Sequence, residues 1–180
     1  MKTRRALPPL TKSKLDELAL RYVGRYATTR AKLRYYLARK VRERGWDGEH
    51  EPDLERLADR FAELGYVNDA AYALSTSQAL SGRGYGKRRL VEKLRVAGVG
   101  EEDSAAARAL ADDEAVAAAL RFAERRRLGP FGERPVDPRQ REKAIAAMVR
   151  AGHRFGLART IADLAPGAEV DLEELRASAN

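Results

Sequence analysis

The chain has no cysteine, which excludes disulfide staples, thiolate nucleophiles and cysteine-based zinc sites. Its only two histidines, His50 and His153, have no partner at metal-ligand spacing, and no His-Glu-x-x-His occurs. Both read as surface or capping residues, with His153 just past a helix C-terminus. Aromatic residues make up 7% of the chain, so packing rests on aliphatic and small side chains, alanine above all. No window approaches the ~18 consecutive apolar residues of a membrane span. Met1–Thr11 is basic and lacks the apolar stretch of a secretory signal, so cytoplasmic residence is expected. No segment alternates with period two, so no strand is expected. Carboxylates cluster on helical segments beside arginines, which is ion-pair chemistry rather than a paired acid and base. No catalytic residue, cofactor or metal site is expected.

What is present is a repeat. Leu37, Val41 and Gly45 form an apolar ladder ending in glycine, repeated as Leu90, Leu94, Gly98 and again as Ala144, Met148, Gly152. The glycines are 53 and 54 residues apart, and a cation stands three residues before each ladder, at Arg34, Lys87 and Arg141. A fixed period of this size marks tandem supersecondary units that share a continuous core. The expected fold is all-α, three tandem three-helix repeats stacked into an elongated curved array.

The spacing predicts a basic disordered arm over 1–14, repeats over 15–67, 68–112 and 113–166, and a frayed acidic tail over 167–180. In the first repeat, helices are expected over Leu15–Tyr26, from an N-cap at Thr28 to Gly45, and along Leu54, Leu57, Phe61 and Leu64. Pro8 and Pro9 break any helix in the arm. Asp47–Asp53 and Gly129–Pro138 read as loops. Trp46, just past Gly45, reads as a cap over the inter-helix core.

The formal net charge is +8, and it is not evenly spread. Residues 1–50, 81–100 and 121–160 are net +9, +5 and +7, while 51–80, 101–120 and 161–180 are net −4, −5 and −4. Each repeat thus pairs a basic segment with an acidic one. Solvated helix faces with weak ion pairs would explain this in part. Because the alternation keeps step with the repeat, the basic segments are expected to line one side of the array as an electrostatic footprint.

The candidate binding residues follow. Lys32, Tyr35, Arg39 and Arg42 share one helix face, with Arg34 beside them; Tyr35 either stacks on an exposed base or covers a neighbouring helix. Arg83, Lys87, Arg88, Arg89, Lys93 and Arg95 form the densest basic group, and Lys87 leads its helix, where backbone N–H groups receive phosphate. Arg125, Arg126, Arg127, Arg139, Arg141 and Lys143 repeat the theme. The run Gly82–Arg88 fails as a phosphate loop, because Ser81 stands where the first glycine belongs and Arg88 replaces the required Ser or Thr. It reads as a flexible linker.

The strings Leu64-Gly65-Tyr66-Val67-Asn68-Asp69-Ala70-Ala71-Tyr72-Ala73 and Gly84-Tyr85-Gly86-Lys87-Arg88-Arg89-Leu90-Val91-Glu92-Lys93-Leu94, the latter followed by Gly98-Val99, resemble the RecX family of regulatory proteins. The resemblance spans roughly Leu15 to Leu164 and is less sharp in the third repeat. It implies a bacterial regulator that lies in the groove of the RecA recombinase filament on single-stranded DNA. Such a protein inhibits ATP hydrolysis, strand exchange and coprotease activity, and so modulates recombination, DNA repair and the SOS response. The expected partners are the RecA filament and the single-stranded DNA within it, with no membrane partner, and the expected state is a monomer. The alternative reading is a free-standing helical DNA-binding or architectural protein that acts without RecA.

Overall fold

The computed structural model describes residues 8–134 and 137–179. Every regular element among them is helical, so the fold is all-α. The order is α1 (Lys12–Val23), α2 (Arg30–Arg44), α3 (Leu54–Glu63), α4 (Asp69–Gly82), α5 (Lys87–Val96), α6 (Glu101–Asp113), α7 (Ala115–Arg126), a 3-10 turn (Gly129–Phe131), α8 (Pro138–Arg150), α9 (Phe155–Asp163) and α10 (Leu172–Ser178). The chain divides into two compact units, one of residues 1–72 with 97–100 and the other of 73–96 with 101–180.

The first unit is built on α1, α2 and α3. Thr29, one residue beyond the expected Thr28, caps α2 by accepting from the Lys32 backbone N–H at 3.2 Å. Leu33 and Leu37 from α2, Leu15 and Ala19 from α1, and Ala58 and Phe61 from α3 meet in one apolar core, completed by Val67 and Leu10. The expected Leu64 is missing from it. α3 ends at Glu63 and Gly65 turns with φ +76°, which leaves Leu64 63% exposed and sends Val67 inward instead. Trp46 packs against this core and donates its indole N–H to the His50 carbonyl, as a cap would.

The N-terminal expectation needs correction. Met1–Leu7 lie outside the described residues, but Pro8–Lys14 is not a disordered arm. Leu10 is fully buried, its N–H donates to the Gly45 carbonyl and its carbonyl accepts from Asp47 N–H, both at 2.9 Å. α1 then begins at Lys12 behind a Thr11 cap. The prolines prevent helix, but an extended strand-like segment is what the Gly45 turn can pair with.

In the second unit, α7, α8 and α9 enclose Phe122, Ile145, Met148, Leu157 and Ile161, with alanines between them. Leu175 of α10 joins this core. The acidic tail is therefore ordered: the Asp171 carboxylate caps α10 at the Glu173 and Glu174 N–H groups, and one buried leucine anchors the helix. The loop before α8 contains a 3-10 turn, and within it Pro135 and Val136 lie outside the described residues. α4 and α6 approach through small residues, with Ser77 Oγ donating to the Ala107 carbonyl at 2.9 Å.

The three anchor glycines all adopt positive φ, at +81° for Gly45, +69° for Gly98 and +102° for Gly152. Two of them press on the start of another middle helix. Ala97, before Gly98, accepts from the Thr29 hydroxyl at the head of α2 at 2.6 Å. Around Gly152, Gly86 N–H donates to Ala151 O at 3.0 Å and Arg88 N–H to Gly152 O at 3.2 Å. A Cβ on Gly86 would stand 2.4 Å from Gly152 O, and one on Gly152 would stand 2.6 Å from Arg89 N. These are backbone atoms that cannot step aside. Gly152→Ala is expected to lower unfolding free energy by about 3 kcal/mol, from left-handed strain plus overpacking. Gly82→Ala, at a position with nothing within 4 Å, should leave stability unchanged or raise it by up to about 1 kcal/mol. Urea midpoints of the two variants test the contrast.

Candidate nucleic-acid interface

The three cations that keep step with the repeat share one structural fate. Arg34 of α2 pairs with Glu55 of α3, Lys87 of α5 with Asp112 of α6, and Arg141 of α8 with Asp163 of α9. Each pair ties a middle helix to the helix after it. The Asp163 carboxyl is held below its ordinary value by the hydrogen bond from Arg141, whose own value is raised in return. These three positions were expected to face a ligand. Their periodicity instead follows the packing of each helix pair, because equivalent faces of equivalent helices bring opposite charges together.

Other candidates are also engaged. Lys32 lies over the Tyr72 ring at 4.5 Å and donates to its hydroxyl. Arg39 shares Glu43 with Lys40, and Arg95 pairs with Glu92 at 3.0 Å. Arg125 donates to the Arg83 carbonyl and, with Arg126, lies over the Phe122 ring at 5.6–5.8 Å. Arg127 takes the left-handed conformation that ends α7 and pairs with Glu133.

Of the remaining candidates, Tyr35 and Arg42 are exposed on α2, Arg83 follows α4, and Arg139 and Lys143 are exposed on α8. Tyr35 is 71% exposed, so it does not cover a neighbouring helix. The densest expected group lies on and just before α5. Leu90 and Leu94 bury one face of α5, which turns Arg88, Arg89 and Lys93 outward, and none of the three forms an ion pair among the described residues. Arg88 and Lys87 also line an open cleft of about 580 Å³, whose other wall is Gly152–Phe155 and Leu157.

Two residues on that wall were missed from sequence. Phe155 is a large aromatic left 59% exposed; it lines this cleft and a second, about 480 Å³, shared with Ile145 and Val149. His153 was expected at the surface, yet it is only 2% exposed. Its Nε2 lies 3.0 Å from the Gly84 carbonyl, and its ring leans on Phe122 at 5.7 Å. The tight Gly86–Gly152 approach draws it in, and no residue within its own repeat signals that. Burial holds the His153 imidazole below its ordinary pKa of 6.5, with the Gly84 hydrogen bond opposing in part.

No protein-family model matches the chain. It is 35% identical over 160 residues to the regulatory protein RecX of Myxococcus xanthus, an alignment covering 84% of this chain and 86% of that protein. It is 34% identical over 147 residues to RecX of Thermobifida fusca, covering 78% and 72% of the two chains. The chain belongs to the RecX family of regulatory proteins. The crystal structure of RecX from Lactobacillus salivarius has the same fold, with a TM-score of 0.60 at 19% identity, covering 83% of this chain and 92% of that one.

The strings that carry the RecX resemblance prove largely architectural here. Val67 enters the core, Asn68 caps α4 by accepting from Ala71 N–H at 2.8 Å, and the buried Asp69 carboxylate accepts from the Arg30 backbone N–H at 3.0 Å. Asp69 thereby satisfies an orphan donor at the head of α2 from outside that helix. In the second string, Gly84 and Gly86 meet the His153 ring and the Gly152 backbone. Beyond these glycines, Arg88, Arg89 and Lys93 of the same string face outward.

The buried imidazole sets a pH dependence. With the folded pKa below the unfolded one, the unfolded chain binds more protons as pH falls through 6.5. Stability is full above that value and declines below it, at up to about 1.4 kcal/mol per pH unit until the folded group also titrates. His153→Gln, which keeps a donor for Gly84, should flatten this part of the profile. Urea midpoints of both proteins between pH 7.5 and 5 check it.

Proposed function

We propose that this RecX-family chain binds the RecA recombinase filament on single-stranded DNA and restrains its ATP hydrolysis, strand exchange and coprotease activity, acting in the cytoplasm as a non-catalytic regulator of recombination and repair. The observation that carries the reading is the outward row Arg88, Arg89 and Lys93 on α5, cations that the fold neither pairs nor buries. A cation without a fold partner costs the protein self-repulsion and repays it on an anionic surface. The neighbouring α6 opens with Glu101, Glu102 and Asp103. This juxtaposition of signs suits a filament that offers basic protein surface as well as phosphates. Phe155 supplies an apolar anchor of the kind that dominates protein interfaces.

Single-stranded-DNA-dependent ATP hydrolysis by RecA, with this protein titrated in, tests the reading. Inhibition is expected well below one molecule per recombinase monomer. The triple reversal Arg88→Glu, Arg89→Glu, Lys93→Glu should raise the half-inhibitory concentration at least about 10-fold, with little change in thermal midpoint because all three side chains are exposed. Unchanged inhibition by the triple variant would remove α5 from the interface.

A further inference from the structure

The first unit carries another assembly of side chains that the recombinase reading leaves unused. The rings of Tyr22 on α1 and Tyr36 on α2 stack at 4.2 Å with 12° between their planes. Tyr26, just past α1, leans on Tyr22 at 5.4 Å and 52° and is 51% exposed. Cations surround the rings. The Arg25 guanidinium lies 5.6 Å from the Tyr26 centroid, and Arg39 and Lys40 lie 5.8 and 5.9 Å from that of Tyr36. One carboxylate intrudes: Glu43 takes Lys40 at 2.7 Å and Arg39 at 3.7 Å. The patch stays net positive through Arg39 and Lys40 against one acid, with Arg25 in addition.

Tyr22 and Tyr36 also pack against the core of the first unit, whereas Tyr26 stays half exposed with the Arg25 guanidinium over its ring. Such a pair accepts a flat π system and an anion within one nucleotide of each other. Duplex DNA hides its base faces, whereas a single strand offers both groups at every residue. We propose that Tyr22, Tyr26 and Tyr36, with Arg25, Arg39 and Lys40, form a stacking platform for unpaired bases of single-stranded DNA, insensitive to sequence. The platform needs no recombinase, and it stands whether or not α5 engages a filament.

The test uses the full chain and two dye-labelled probes of about 15 nucleotides, thymidine DNA and an abasic strand of equal length and charge, read by anisotropy at fixed salt. The wild type is expected to bind the thymidine strand at least about 5-fold more tightly. Tyr26→Ala should remove most of that preference while leaving abasic binding within about two-fold, and Tyr26→Phe should restore it. Tyr26→Leu, which keeps apolar packing without a π face, should behave like alanine, so a folding defect cannot imitate the result. Arg25→Gln should weaken both probes alike. Equal wild-type affinity for the two probes, no binding to either, a Tyr26→Ala loss shared by both, or failure of the phenylalanine rescue would each overturn the platform. RecA ATPase inhibition by the same variants is expected to persist if α5 acts separately, so failure of one reading is distinguishable from failure of the other.

Discussion

Backbone meets backbone where Gly86 and Gly152 touch, and much of the second unit depends on that contact. With no side chain between them, the turn after α8 hydrogen bonds directly to the first residues of α5. That pairing sets the direction in which α5 leaves, and hence which of its residues face solvent. It also carries His153 into the interior against Gly84 and Phe122, and it places Lys87 and Arg88 along the same cleft as Phe155. A side chain at either glycine would clash with backbone of the other element, which a close-packed interior cannot absorb without moving the two elements apart. The equivalent glycine of the middle repeat, Gly98, sits against Ala31 while its neighbour Ala97 accepts from Thr29. The same device therefore recurs with a side-chain hydroxyl in place of a backbone amide.

Charge in this protein serves two ends, and packing decides which residue serves which. Cations that keep the repeat period, Arg34, Lys87 and Arg141, lean on the following helix and meet its carboxylates. Cations displaced by one or two positions, such as Arg88 and Arg89, point away and form no ion pair with the following helix among the described residues. A helix advances about 100° per residue, so adjacent positions differ by more than a quarter turn. The exposed pairs add little stability individually. Their recurrence follows from the repeated packing of each helix pair, while the unpaired cations remain available to a polyanion. The aromatic side chains divide in the same manner: Phe61 and Phe122 are buried in cores, whereas Tyr26, Tyr35 and Phe155 remain open.

Much of the fold was legible in the sequence for local reasons. The apolar ladders, the glycines that end them and the absence of β-branched alternation depend on residues within a few positions; Leu37, Leu90, Leu94, Ala144 and Met148 of the ladders are buried and Val41 packs partly buried against the core. Leu37, Leu90 and Met148 needed no neighbour from far along the chain to be recognised. The candidate site was less legible. Its residues were found by charge, and charge alone does not tell Lys87, tied to Asp112, from Arg88 beside it. The N-terminal segment and the acidic tail were misjudged because one leucine anchors each, Leu10 and Leu175, and the cores they enter lie elsewhere in the chain.

By itself, then, the sequence determined the helical class, the absence of cysteine chemistry and the excess of positive charge, since all of these are properties of composition and short-range spacing. Only the tertiary structure decided that His153 is buried, that Asp69 serves the head of α2, that Tyr22, Tyr26 and Tyr36 come together, and which cations stay free. Most of those outcomes require segments separated along the chain to meet. Their meeting is governed by shape at close-packed contacts, above all at glycines, and shape at a contact is not encoded in either segment by itself.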